Sequence, residues 1–389
     1  MKICHVVSSK EPLDVRVFHK LARPTAAAGH RVTVIAPGSG PPTVDGVAFR
    51  YVPTCRSRLL RLLRSPLLLQ RALAMPADVY HVHDPEFLLW AALLQALSGR
   101  PVVYDVREYW ADKLLHEEWL PAFWRALVAR PAALLERALG RCLAGVTVTM
   151  AGQARLYQRQ GRPPATVVLH NYPDLSQAEG HLSAALRGGW SQPTVIYLGW
   201  MVRLRGYETL LQATELIQWA APAVRVVLLG PSREDGLSAA ASALRCRLIR
   251  QGVLTVGEVP YPMVWRHLSL AHVGWIPWLP APNMEKILPV KLLEYMAVGL
   301  PVVASDFGLM ARLIRHADCG LVAPAGDPQA HADAIAWLIA NPTEAERLGR
   351  NGQEYVRGRF DLRSELPRMW DLYRSLADAR GGRSTGGTR

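Results

Sequence analysis

Short runs of β-branched and other apolar residues alternate with longer stretches of helical periodicity along the whole 389-residue chain. In the first half the runs predict strands at Lys2–Ser8, Arg31–Pro37, Val47–Pro53, Ala77–His83, Pro101–Val106, Gly145–Thr149 and Thr166–His170. Helical stretches at Val15–Ala28, Glu86–Ser98 and Pro121–Leu143 lie between them. A break with Gly188, Gly189 and Pro193 follows, and residues 180–193 read as a linker. A second series then predicts strands at Thr194–Gly199, Arg225–Gly230, Leu254–Gly257, Val273–Pro277, Pro301–Ser305 and Gly320–Ala323. Its helices are Tyr207–Ala220, Val290–Val298, Met310–His316, Pro328–Ala340 and Glu344–Phe360. Strand–helix alternation at this spacing implies doubly wound parallel sheets, one in each half. The expected domains are 1–185 and 186–360, followed by a helix over 361–380 returning toward the first domain and a disordered tail over 381–389.

Half of the residues are hydrophobic, which suffices for two cores and excludes a wholly disordered chain. No uncharged apolar run is long enough to span a bilayer. With no leader pattern at the N-terminus, the expected compartment is the cytoplasm. Five scattered cysteines without a C-x-x-C pair suggest neither a metal site nor a disulfide framework. The net charge of +13 favours acidic partners, and most of the excess falls in residues 1–190. In residues 55–74, Arg58, Arg61 and Arg64 recur at helical spacing among leucines, with Arg56 and Arg71 nearby. This pattern fits either a helix on an anionic membrane surface or a helix packed on the sheet with its arginines in water. Stacking aromatics do not interleave with these arginines, so nucleic acid is not an expected partner.

Ligands of open parallel sheets bind beyond the carboxyl ends of the strands. After Gly199 come Arg203, Arg205 and Gly206 at a helix start, where free N–H groups and arginine forks suit phosphate. Two solvated arginines would give the same pattern. Lys291 and Glu294, three apart after Pro289, share a helix face and suit a phosphate and a sugar hydroxyl, or form a plain surface ion pair.

LPVKLLEYMAVGLPVVASD, residues 288–306, closely resembles the donor-binding segment of family-4 retaining glycosyltransferases, whose fold is GT-B. YLGWMVRLRGYETLLQA and VGEVPYPMVWRHLSLAHVGWIPW resemble further parts of their second domain. DVRVFHKLARPTAAAGHRVTVIAPG, VYHVHDPEFL and VVYDVREYW resemble their first, so the likeness spans about residues 1–360. The resemblance implies two Rossmann-like domains facing across a cleft, with a nucleotide-sugar donor, most simply a UDP- or GDP-sugar, and no metal or cofactor. It places Arg205, with Arg203, and Lys291 on the donor diphosphate beside Gly199 and Gly206. Glu294 then falls on the ribose, backbone amides around Leu288 and Val290 on the phosphates, and Glu258–Val259 beside the base.

Two positions depart from the family pattern. Lys286 stands where a first Glu is common, with Glu285 adjacent. Arg107 stands where close relatives carry a His near the reacting carbon. Arginine cannot act as a general base. Arg107 therefore implies an acidic donor or acceptor, or His81 or His83 supplies the imidazole. Arg107, His83 and Glu294 are the expected catalytic residues. Asp14, Arg16 and Asp84 are assigned to the acceptor side, although Asp14 also suits a simple helix cap. The implied activity is transfer of a sugar to a hydroxyl of a saccharide, lipid-linked or small-molecule acceptor. Its setting would be cell-surface polysaccharide or glycolipid assembly, in the cytoplasm or peripherally on the inner membrane face. A nucleotide-sugar epimerase or hydrolase, or a non-catalytic binding subunit, are the alternatives.

Overall fold

The central β-branched runs, such as Val79–Val82, Val102–Val106 and Val302–Ser305, are buried along their whole length, as parallel strands covered by helices on both faces must be. The computed structural model describes residues 1–384 except 10, 56, 116–120, 159–162, 180, 182–189, 191 and 233–235. Among the described residues, contacts divide the chain into two bodies, Met1–Asn171 with Leu362–Arg389 and Tyr172–Asp361.

The first body is built on strands β1 (Lys2–Val6), β2 (Arg31–Pro37), β3 (Thr43–Val44), β4 (Val47–Val52), β5 (Val79–Val82), β6 (Val102–Val106), β7 (Gly145–Val148) and β8 (Ala165–Val168). Their order is β3-β4-β2-β1-β5-β6-β7-β8, and all pairs are parallel except β3 with β4. The second body holds β9 (Thr194–Leu198), β10 (Arg225–Leu229), β11 (Leu254–Gly257), β12 (Val273–Ile276), β13 (Val302–Ser305) and β14 (Gly320–Ala323). These are parallel throughout in the order β11-β10-β9-β12-β13-β14. Both sheets reverse direction of build-up next to their first strand, between β1 and β5 and between β9 and β12. Those are the switch points at which such sheets bind ligands.

The division falls earlier than the expected 185. Leu175 and Ala178 of the helix Leu175–Glu179 pack with Trp265 and Leu292 of the second body. Most of the expected linker, 182–189, lies outside the described residues. The last helix, Leu362–Ser384, sets Leu366, Met369 and Tyr373 against Ile3, Val79 and Val103 of the first body. It runs on through Gly381–Ser384, where a tail was expected; 385–389 lie outside the described residues.

Two further differences have local causes. The expected helix Val15–Ala28 is split into a π-helix, Val15–Ala22, and a short α-helix, Arg23–Ala27. Pro24 has no N–H to continue the ladder, and the N–H of Arg23 reaches back to Phe18 instead. The basic segment does form a helix, Arg58–Leu73, capped by Ser57. However, Arg64 is buried and donates to the carbonyls of Pro53 and Ser8, and Arg61 pairs with Glu86 at 3.1 Å. Leu60, Leu62 and Leu63 point to solvent instead, so Arg61 and Arg64 do not form the expected outward stripe; the Arg58 side chain lies outside what is described. Arg56 lies outside the described residues. None of the described helices is long and apolar enough to cross a membrane.

Candidate active site

In the second body, β9 is followed by Gly199, whose φ of 115° places it in the left-handed region. A Cβ there would lie 3.0 Å from Lys291 Nζ and 3.7 Å from an Arg205 guanidinium nitrogen, so both cations converge on this turn. Gly206 follows with a φ of 74°, and a Cβ would sit 1.8 Å from the Pro277 carbonyl oxygen. Only glycine fits there. It opens the helix Tyr207–Ala220, which has no side-chain cap. The hydroxyl of Tyr295 accepts from the Leu198 N–H at 2.8 Å, pinning the end of β9 to the helix Val290–Ala297. That helix, capped only by Pro289, carries Val290, Lys291 and Glu294.

Lys291 is buried, and its Nζ has no hydrogen-bond partner. It sits 3.8 Å from the Tyr197 ring centre, and the Arg205 guanidinium stacks 4.8 Å from that of Trp278. Burial, and then the Arg205 charge, push the Lys291 amine well below its usual range, with Glu294 opposing. Two basic side chains and uncapped helix starts therefore share one aromatic-floored corner. Glu294 is buried and accepts from the Tyr261 hydroxyl at 3.2 Å.

The other expected donor residues are distributed differently. Arg203 is exposed. After β11, Glu258 is exposed and Val259 half-buried, and Val259 and Leu288 both pack against the core of the second body. Lys286 is exposed and belongs, with Glu285, to a separate cavity of about 620 Å³ that Asp306, Phe307 and Arg312 also line. Tyr197 and Trp278 escaped the sequence reading because isolated aromatics at strand ends look like core.

In the first body, the expected residues gather around Asp105 at the end of β6. Its carboxylate is buried and accepts from Arg16 at 2.7 and 2.8 Å, Arg107 at 3.2 Å, His83 at 3.2 Å and Thr147 at 3.0 Å. Burial alone would raise its pKa, but Arg16 and the hydrogen bonds hold it well below the usual carboxylate range. An acceptor-only Asp105 fixes the tautomers around it. His83 donates through Nδ1, so its Nε2 accepts from His5 Nδ1 at 2.9 Å. Thr147 spends its proton on Asp105, so His81 donates to it through Nε2 at 3.2 Å. The His81 Nδ1 lone pair then accepts from the Tyr373 hydroxyl at 2.6 Å. Burial lowers the pKa of all three histidines, consistent with neutral rings. One nitrogen from each of the three rings lies within 4.8 Å of the others, but the nitrogens are joined in these hydrogen bonds, leaving only His5 Nε2 of the three rings without a partner.

These contacts correct three expectations. His83 is committed through both ring nitrogens and so positions Asp105 rather than meeting a substrate. Arg16 is turned inward onto Asp105 instead of outward. Asp84 accepts from the backbone of Ser8 and Ser9 at 2.7 and 3.1 Å and fixes the loop after β1. Asp14 caps the π-helix and takes an Arg107 contact at 3.4 Å. Arg107 remains partly exposed, with its Nη2 lacking a hydrogen-bond partner.

Residues 192–341 match the family model of glycosyl transferases group 1, and residues 15–172 that of the glycosyl transferase 4-like domain. The chain belongs to the family-4 glycosyltransferases. This glycosyltransferase is 27% identical over 373 residues to phosphatidyl-myo-inositol mannosyltransferase of Mycobacterium leprae, covering 92% of this chain and 91% of that one. It is 36% identical over 124 residues to the lipopolysaccharide core biosynthesis mannosyltransferase LpcC of Rhizobium leguminosarum, about a third of either chain. Among solved structures it resembles sucrose-phosphate synthase from Thermosynechococcus elongatus, with a TM-score of 0.71, 21% identity, and 97% and 100% of the two chains covered. It also resembles Anabaena Alr3699/HepE in complex with UDP, at a TM-score of 0.66, 19% identity, and 96% and 100% coverage. The fold of this glycosyltransferase is accordingly GT-B, and its activity is sugar transfer in glycoconjugate biosynthesis.

Proposed function

We propose that this glycosyltransferase takes its sugar from a nucleoside-diphosphate sugar, with uridine or guanosine as the nucleoside, and transfers it with retention to a hydroxyl of a saccharide or lipid-linked acceptor. The observation that carries the donor is the buried, unpartnered Lys291 ammonium site next to Arg205 at Gly199. A buried cation without an acceptor costs free energy unless an anion completes it. A diphosphate does so, and the two cations with the helix N-termini stabilise it as it leaves with the electron pair of the broken C–O bond. That arrangement supplies without a metal the charge a metal would bring. Glu294 is assigned to the ribose and Arg107 to the reacting end, where it holds an anionic oxygen. With His83 committed to Asp105, the acceptor proton passes to the departing phosphate oxygen. The UDP bound by the Anabaena structure and the lipid acceptor named for the mycobacterial relative support these classes. A setting on the cytoplasmic membrane face follows from a lipid-linked acceptor.

Thermal unfolding of the purified chain in EDTA with UDP, GDP, dTDP and ADP tests the donor site. One diphosphate is expected to raise the melting temperature, and Arg205→Ala and Lys291→Met to abolish the rise. No rise with any of the four sinks the donor assignment.

A further inference from the structure

Three neighbouring helices of the first body, Arg58–Leu73, Leu88–Ser98 and Ala122–Arg141, lie side by side on one face of the sheet. Their inner sides are ordinary core: Leu68, Leu88 and Leu94 pack with Tyr80 and Tyr104. Their outer sides are not ordinary surface. Leu62 and Leu63 of the first helix, and Leu89 and Leu97 of the second, face solvent. On the third, Phe123 is 73% and Leu134 64% exposed, with Trp124 and Leu127 beside them. Monomeric surfaces rarely gather large apolar side chains in this way without an occupant.

The charges on the same helices have one sign. The first two helices contain no carboxylate. The third contains only Glu136, which is buried and accepts from the Tyr104 hydroxyl at 2.8 Å. Arg71 and Arg130 are exposed, and Arg125, Arg137 and Arg141 partly so. A second copy of this face would bring arginine against arginine, which disfavours self-association. Leucine and aromatic side chains that enter an acyl boundary, ringed by arginines at phosphate depth, match an anionic lipid surface. We propose that this three-helix face docks the enzyme on an anionic bilayer, led by Phe123, Trp124, Leu127 and Leu134 rather than by Arg58, Arg61 and Arg64. The inference deepens the reading of a lipid-linked acceptor by naming where its membrane is met.

The test uses the full chain and phosphatidylglycerol–phosphatidylcholine vesicles in co-sedimentation, with phosphatidylcholine vesicles alone as comparison. The wild type is expected to sediment with the anionic vesicles. The triple variant Phe123→Ser, Leu127→Ser, Leu134→Ser is expected to lose at least about tenfold in partitioning. These side chains are exposed, so its melting temperature should hold. Absence of wild-type sedimentation at low salt, or equal partitioning of the variant, overturns the proposal. So does a wild-type dimer in light scattering that the variant converts to monomer. The nucleotide-diphosphate melting shift, measured on the same variant, reports the donor site separately.

Discussion

The two bodies treat buried charge in opposite ways. In the first, Asp105 has five donors from four side chains, and its anion is fully answered within the protein. In the second, Lys291 is buried against aromatic rings with no acceptor, and Arg205 adds a like charge beside it. An internally closed network sets geometry; an open one reserves its binding energy for a ligand. The contrast separates a site that holds side chains in place from the one proposed above to take the donor diphosphate.

Breaking the closed network should have the largest effect. Asp105→Asn leaves the buried Arg16 guanidinium without a counter-charge and is expected to cost about 3–5 kcal/mol in denaturant unfolding. A loss below 1 kcal/mol would show that Arg16 finds another partner. Glu136, a buried carboxyl of the same body held by the Tyr104 hydroxyl, is raised by burial from 4.5 to about 7. Its folded-state pKa lies above the unfolded one, so its contribution is intact below pH 4.5 and is lost as pH rises through 7. A displacement of that size corresponds to about 3 kcal/mol. Glu136→Gln should therefore flatten the fall in melting temperature between pH 5 and pH 8, and an unchanged slope would refute this.

The open site is the one expected to respond to ligand. At 100 times the dissociation constant, the bound nucleoside diphosphate should add about 2.7 kcal/mol to the wild type. Lys291→Met should abolish that gain yet leave the ligand-free chain about 1 kcal/mol more stable, because a buried unpaired amine is replaced by an apolar chain. Destabilisation of the free variant would mean that Lys291 is already satisfied. The smallest effect belongs to Tyr373→Phe, which removes one donor to His81 and should cost about 1 kcal/mol. The nucleotide shift should stay at its wild-type size; its disappearance would mean that the two networks are coupled.

Thirteen of the strands were legible because parallel strands, most of all the buried central ones, read as short β-branched or apolar runs bounded by turn residues. The two-residue β3 was not, since Thr43–Val44 is too short to show a period. Helices Ala239–Arg250 and Tyr261–Leu270 were missed because their apolar faces are narrow and interrupted by polar residues. Arg205 was legible as a candidate because it directly precedes the glycine that opens a helix, and Lys291 and Glu294 because they share a helix face just after Pro289. The Tyr373–His81 contact was not, because it joins positions 292 residues apart.

Local pattern alone determined the two parallel sheets, the glycine turn and the cations beside it, because each is encoded by residues close together in the chain. Tertiary structure decided which way each side chain of an amphipathic helix faces. Arg64 turns inward because the Ser8 and Pro53 carbonyls need a donor there, and the leucines beside it are left outside. It likewise decided that His83 serves Asp105, since a buried carboxylate takes every donor within reach.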